Sequence, residues 1–124
     1  MDENELKIRA KQFALRIITL VDALPKTSIG RALGGQLIRS GTSVGANYRS
    51  ACRARSKAEF VSKISIAAEE ADESAFWLEL IMESNLMTKK SILPLHTEAG
   101  ELTAIFTASG RTAKSKIQNL KSKI

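Results

Sequence analysis

The chain has 124 residues, 44% of them hydrophobic and 26% charged, with a formal net charge of +6. That length suits one domain, able to bury roughly two-thirds of the surface its unfolded form exposes. The composition is too apolar for a disordered chain. The single cysteine, Cys52, excludes an intramolecular disulfide and implies no oxidising compartment.

Two prolines and few aromatics, beside abundant Ala, Leu, Ile, Lys and Glu, favour helix over sheet. The start, Met1-Asp2-Glu3-Asn4-Glu5, is acidic and lacks the basic opening and apolar run of a signal peptide. No stretch approaches the ~18 consecutive apolar residues of a membrane-spanning helix. A cytoplasmic protein with no membrane association is the expectation.

A first helix is expected over about 4–24, where Leu6, Ala10, Phe13, Ile17, Leu20 and Leu24 recur at steps of four and three. Pro25 stops it, because the residue before a proline is pushed out of the α region. A second is expected over about 28–55, capped by Thr27 or Ser28. Its stripe reads Ile29, Leu33, Leu37, Ser40, Val44, Tyr48 and Ala51. Gly30, Gly34, Gly35, Gly41 and Gly45 each weaken an isolated helix by up to ~1 kcal/mol. Gly30/Gly34 and Gly41/Gly45 are spaced one turn apart, which predicts close backbone approach inside the bundle or between subunits. A phosphate-binding glycine loop is the rival reading. It fails because no Lys-Ser/Thr follows at the required spacing and no strand precedes.

Ser56-Lys57-Ala58-Glu59 reads as a capping box opening a third helix over about 57–85. Phe60, Ile64, Ala67, Ala71, Ser74, Leu78 and Ile81 line its inner face, widened by Ala68, Ala75 and Met82. Asn85 suits the left-handed position after the helix. The fourth helix, about 91–122, opens at Thr88 or Ser91. With Ser91 as the cap, Pro94 falls harmlessly in the first turn; with Thr88 as the cap, Pro94 would kink the helix. Leu95, Ala99, Leu102, Phe106, Ala113, Leu120 and Ile124 form its apolar face. Short connections predict an all-α, up-down-up-down four-helix bundle of one domain spanning 1–124.

The charge is unevenly spread. Residues 1–55 carry ten Lys/Arg against four Asp/Glu, residues 56–87 two against seven, and residues 88–124 seven against two. The acidic third helix therefore lies between basic neighbours. A hairpin turning near Ser56 sets Arg39 opposite Glu73, so Arg39 is expected to pair with Glu73 or Glu70. An Arg39 with no carboxylate within reach would mean a different register.

Two basic concentrations remain. Arg49, Arg53, Arg55 and Lys57 cluster at the second-to-third helix corner, and Lys114, Lys116, Lys121 and Lys123 lie on the last turns of the fourth helix. Cations at helix C-termini are favourable by themselves, by ~0.3–1 kcal/mol each. The functional reading is a footprint for a phosphate backbone. Tyr48 is the one aromatic candidate for stacking beside these patches, so RNA or DNA contact should be electrostatic, salt-sensitive and weakly selective.

Catalytic constellations fail in turn. A di-iron bundle needs Glu-x-x-His on two helices, whereas His96 is the single histidine and Leu93 stands three residues before it. His96 reads as a surface residue in the first turn of the fourth helix. Glu69, Glu70, Asp72 and Glu73 have no histidine partners, and a metal-dependent hydrolase built on Glu69, Glu70 and Glu73 is the weakest of the functional readings. Arg53 and Arg55 could activate Cys52, against the plainer reading of a small helical residue. No enzyme activity, cofactor or metal is expected.

One stretch carries a resemblance. Gln36-Leu37-Ile38-Arg39-Ser40-Gly41-Thr42-Ser43-Val44-Gly45-Ala46-Asn47 resembles the signature of the four-helix bundle protein family, also called the 23S rRNA intervening-sequence protein family. Leu24-Pro25-Lys26, Arg55-Ser56-Lys57-Ala58-Glu59-Phe60 and Ile66-Ala67 match further pieces in order, and the likeness spans about residues 10–120. The chain departs at Tyr48-Arg49-Ser50-Ala51, where many members read Ile-Ala-Glu-Gly. It departs again at Glu69-Glu70-Ala71-Asp72-Glu73, where many read Gly-Ser-x-x-Glu. The resemblance implies a left-handed up-down bundle assembling as a homopentamer, with no established enzymatic activity. Some members are encoded within insertions in 23S rRNA genes. A related bundle, the accessory variability determinant of diversity-generating retroelements, binds its reverse transcriptase and nucleic acid. By that likeness a ribonucleoprotein or reverse-transcriptase-like partner is implied, Ser40 and Ser43 are small for close packing, and Asn47 bonds across to the third helix.

Overall fold

The computed structural model of the protein describes residues 1–122 and consists of four helices: α1 (Glu3–Asp22), α2 (Ser28–Cys52), α3 (Lys57–Glu83) and α4 (Lys89–Ser122). Ile124, expected on the fourth apolar face, and Lys123, expected in its basic end, lie outside the described residues.

Each helix starts where a short polar side chain can take up an orphan N–H. Asp2 accepts from the Glu5 N–H at 2.8 Å, Thr27 from Gly30 at 3.1 Å and Ser56 from Glu59 at 3.0 Å. The reciprocal half of the capping box at Ser56 is replaced: the Glu59 carboxylate lies 3.8 Å from Arg55 instead. α3 ends in a Schellman motif. Asn85 takes φ 62°, while the Asn85 N–H reaches the Met82 carbonyl at 3.1 Å and the Leu86 N–H reaches Ile81 at 3.2 Å.

α4 opens two residues before 91. Thr88 is the cap, its hydroxyl accepting a long 3.4 Å bond from the Ser91 N–H. Pro94 consequently sits inside the helix rather than in its first turn. It has no N–H to offer the Lys90 carbonyl one turn back. His96 is thereby moved into the third turn of α4, not the first.

Four of the five glycines of α2 point inward, Gly34, Gly41 and Gly45 at α1 and Gly30 at the connection before α2, while Gly35 faces open space. A Cβ on Gly30 would overlap the Pro25 carbonyl, one on Gly34 would lie 3.1 Å from Val21 and Leu24 side chains, and one on Gly41 would lie 2.9 Å from Ile17. Of the two readings of this spacing, packing within the bundle therefore accounts for these positions. The α2 stripe accordingly enters the core through Gly30 and Gly34, while Ile29 stays 58% exposed and Leu33 only half-buried. Gly45 meets Ala10, Gly41 meets Ile17 and Gly34 meets Val21, so α1 and α2 pass each other in opposite directions.

The core behind these contacts is built from Phe13, Ile17, Leu37, Val44, Ile64, Leu78, Ile81, Ile92, Leu102 and Phe106, all out of water. Tyr48 of α2 stacks on Phe106 of α4 with ring centroids 5.2 Å apart. One polar contact sits inside the α2–α3 seam. The Ser40 and Ser74 hydroxyls lie 2.9 Å apart, and Ser74 also donates to the Glu70 carbonyl at 2.8 Å. Two hydroxyls satisfied this way let the helices approach without an unpaired polar group. Asn47 does not bond across to α3 as the resemblance implied. It donates to the Ser43 carbonyl and hydroxyl one turn back, both at 2.9 Å.

Beyond Gly110 nothing in α4 is buried, although the helix continues to Ser122. Ala113 and Leu120, expected on the apolar face, are half-buried and exposed respectively.

Candidate nucleic-acid interface

Ion pairing between helices decides which cations are left for anything else. Arg39 of α2 reaches Glu70 of α3 at 3.2 Å and also bonds Glu73, so the acidic turn of α3 is engaged from within the chain. Trp77 donates its indole N–H to the same Glu73 at 3.2 Å. Arg39 stays 49% exposed, so the pair stabilises by no more than ~1 kcal/mol and serves chiefly to fix register. These contacts also leave Glu70 and Glu73 committed to a guanidinium rather than poised for a metal. Among the described residues, no three His, Cys, Asp or Glu side chains stand together as a metal site.

A second interhelical pair had no signal in the sequence. Arg9 of α1 grips Glu98 of α4 with both prongs, Nε to Oε2 at 2.8 Å and Nη2 to Oε1 at 2.6 Å, and lies 3.4 Å from Glu101. Hydrogen bonding to Glu98 raises the guanidinium above its usual pKa, although burial opposes this. A bidentate fork of this kind is stronger than a point contact. Eighty-nine positions separate the two residues, and hairpin reasoning between neighbouring helices does not reach that far. His96, expected at the surface, is half-buried. Its Nε2 lies 2.8 Å from the Glu79 carboxylate, tying α4 to α3.

Glu70, Glu73, Glu79, Glu98 and Glu101 are thus occupied, and at one end of the bundle a group of cations stands without such partners. Arg49, Arg53, Arg55 and Lys57 are all exposed around the α2–α3 corner. α4 returns to this end: Gly110 packs on Ile64, and Lys57 and Phe60 share a cleft with Thr112, Ala113 and Lys116. The two basic concentrations, about sixty residues apart in the chain, therefore adjoin. Lys114 and Lys116 stand beside the corner, while Lys121 rides on the exposed extension. Arg55 is held by Glu59, and Arg111 and Lys114 share a cleft with Glu69. Arg49, Arg53, Lys57, Lys116 and Lys121 form no ion pair with a described residue. Arg111, and Lys7 and Lys11 of α1, were not among the expected cations. Their proximity to this end depends on tertiary packing.

Two side chains proposed for chemistry at this end are otherwise employed. Tyr48 is 5% exposed and stacked on Phe106, so it is no platform for a base. Its phenol is pushed above its ordinary pKa, chiefly by burial. Cys52 is half-buried, and burial pushes its thiol up rather than down, despite Arg53 and Arg55. Burial thus works against an activated thiolate at this position.

No described helix is long and apolar enough to cross a membrane. The sequence profile of the 23S rRNA-intervening sequence protein matches residues 2–108. Among solved structures, a protein of unknown function from the S23 ribosomal protein family of Bacteroides thetaiotaomicron is similar at 32% identity and a TM-score of 0.83, over 90% of this chain and 99% of that one. No curated protein matches.

Proposed function

We propose a function from the premise that this chain belongs to the 23S rRNA-intervening sequence protein family: it is a non-enzymatic, homo-oligomeric bundle that binds the phosphate backbone of structured RNA. One observation carries the reading. Arg49, Arg53, Lys57, Lys116 and Lys121 stand at one end of the fold in no ion pair with a described residue, while Glu70, Glu73, Glu79, Glu98 and Glu101 are engaged by interhelical pairs. Such a field attracts a polyanion and releases its counterions on binding. Since Tyr48 is turned inward, base stacking contributes nothing and sequence selectivity should be weak.

Assembly is supported by apolar surface. Ile8, Leu15 and Ile18 of α1, Phe76 of α3 and Leu93 of α4 are exposed, and Leu15, Leu20, Met87, Pro94 and Leu95 line an open α1–α4 cleft of about 530 Å³. Exposed apolar surface of this kind marks contact sites. The pentamer implied by the resemblance is the state to test, by light scattering; a clean monomer removes it.

The absent aromatic platform also favours a second reading, an adaptor whose basic end meets an acidic protein or a ribonucleoprotein. Filter binding to structured RNA at ~50 and ~200 mM salt separates the two. Six to ten phosphate contacts predict an affinity drop of roughly 10³–10⁵ across that range. No binding at low salt, or binding indifferent to salt, removes the RNA reading and leaves the adaptor.

A further inference from the structure

A second cationic feature adjoins the α2–α3 corner, in the seam between α1 and α2. Lys7, Lys11 and Ala14 on one side and Thr42, Ala46 and Arg49 on the other enclose a cleft of about 310 Å³. Three cations and no carboxylate face it. Outside the cleft, Glu3 lies 3.9 Å from Lys7 in an exposed one-turn pair, a contact worth little in water.

The geometry follows from the packing of small residues. Gly45 also lines the cleft, and a Cβ there would lie 3.5 Å from the Ala10 carbonyl, so the two backbones run close beneath it. Ala14 and Ala46 raise no obstacle above that floor. Because α1 and α2 pass in opposite directions, Arg49, one turn beyond Gly45, comes level with Lys7. Lys11 stands one turn along α1, about 6 Å further on. Three like charges along one groove add their fields over whatever lies in it.

We infer that this α1–α2 cleft seats successive phosphates of a single RNA strand, which then continues past Arg49 onto the basic end of the bundle. The cleft lies between two neighbouring helices and admits one strand rather than a duplex. None of its lining residues is aromatic, so it holds backbone and not bases. Arg49 belongs both to this cleft and to the α2–α3 corner, which makes the two surfaces continuous. The inference rests on the RNA-binding reading above, yet it can fail by itself.

The test uses the full chain and a mixed-sequence single-stranded oligoribonucleotide, titrated across salt. Removing two phosphate contacts with K7A/K11A should lower the slope of log affinity against log salt by about 1.4. Ala46 is exposed on α2, so A46E should place a carboxylate in the cleft while leaving the helix intact, which far-UV circular dichroism checks. A46E should weaken binding at least about tenfold, and the neutral A46Q by much less, because the effect is electrostatic. A wild-type chain that binds while K7A/K11A and A46E leave the slope and affinity unchanged overturns the cleft and spares the proposed function. Tighter binding of the same sequence as a duplex, with equal sensitivity to A46E, overturns the single-strand assignment. A wild-type chain that binds structured RNA but not the single strand also overturns the cleft, and one that binds neither removes both.

Discussion

Along α4, residues 89–110 place Ile92, Leu95, Ala99, Leu102, Phe106 and Gly110 out of water, whereas residues 111–122 leave no side chain fully buried, only Ala113 and Ile117 half-buried, and carry Arg111, Lys114, Lys116 and Lys121. The hydrogen-bonded ladder runs through both, because an established helix gains one bond per added residue with or without a neighbour to pack on. Helical continuity therefore says little about what a segment is for. The profile match ends at residue 108, two residues before the last buried position of α4, Gly110. The first stretch is the part of α4 that holds the bundle together. The second is an extension whose composition is governed by charge.

The largest expected effect tests the first stretch. Phe106 is fully buried against Tyr48, so Phe106→Ala should cost about 3–5 kcal/mol in urea unfolding. Leu120→Ala, at a residue 53% exposed on the extension, should stay within about 0.5 kcal/mol. Comparable losses at the two sites would mean that the extension packs on something in solution, and the division of α4 would collapse.

Space rather than charge sharpens the same contrast within α2. A Cβ on Gly41 would press on Ile17 at 2.9 Å, and Ile17 is fully buried with nowhere to retreat. Gly41→Ala should therefore destabilise by about 1–3 kcal/mol. Gly35 has nothing within 4 Å of its would-be Cβ. There the gain in helix propensity acts alone, and Gly35→Ala should stabilise by about 0.5–1 kcal/mol. If both substitutions moved the midpoint in the same direction, propensity or packing alone would suffice, and the close α1–α2 approach would lose its support.

Cys52 gives a smaller and chemical reading of burial. Its thiol is pushed up, so at pH 8 the folded chain should react with a thiol reagent more slowly than the urea-unfolded chain does. A folded-state pKa raised above the unfolded value favours the fold below the unfolded pKa. That contribution is lost as pH rises towards the folded pKa, because the unfolded thiol ionises first. Faster reaction of the folded chain would restore the activating role of Arg53 and Arg55.

Much of this was readable from residue order, for reasons that differ by feature. The four helices were visible because apolar residues recur at helical spacing and because Thr27, Ser56 and Asn85 punctuate the chain. The meeting of Arg39 with Glu70 and Glu73 followed from one hairpin register. Where the helix–cap choice hung on Thr88 or Ser91, both signals were present, and the outcome favoured the earlier cap despite Pro94. The inward turn of the α2 glycines was less legible. Spacing marked them as a contact face, but Ile29 and Leu33 competed for the same stripe. Contacts between sequence-distant helices were not legible at all. Arg9 with Glu98, His96 with Glu79, and Lys7 and Lys11 beside Arg49 depend on how whole helices dock, which no local pattern encodes.

The smallest change in stability belongs to the extension, and it carries the sharpest functional contrast. Replacing Arg111, Lys114, Lys116 and Lys121 together with alanine removes no buried atom and raises helix propensity slightly. The unfolding midpoint should shift by less than about 0.5 kcal/mol. The salt slope for single-stranded RNA binding, by contrast, should fall by roughly 3 if all four side chains meet phosphates. A large loss of stability with an unchanged slope would reverse the assignment, making these cations a brace for the end of α4. A reduced slope in a fold of unaltered stability requires the extension to act on a partner rather than on the bundle. It would then be a charged arm appended to a core that folds without its help.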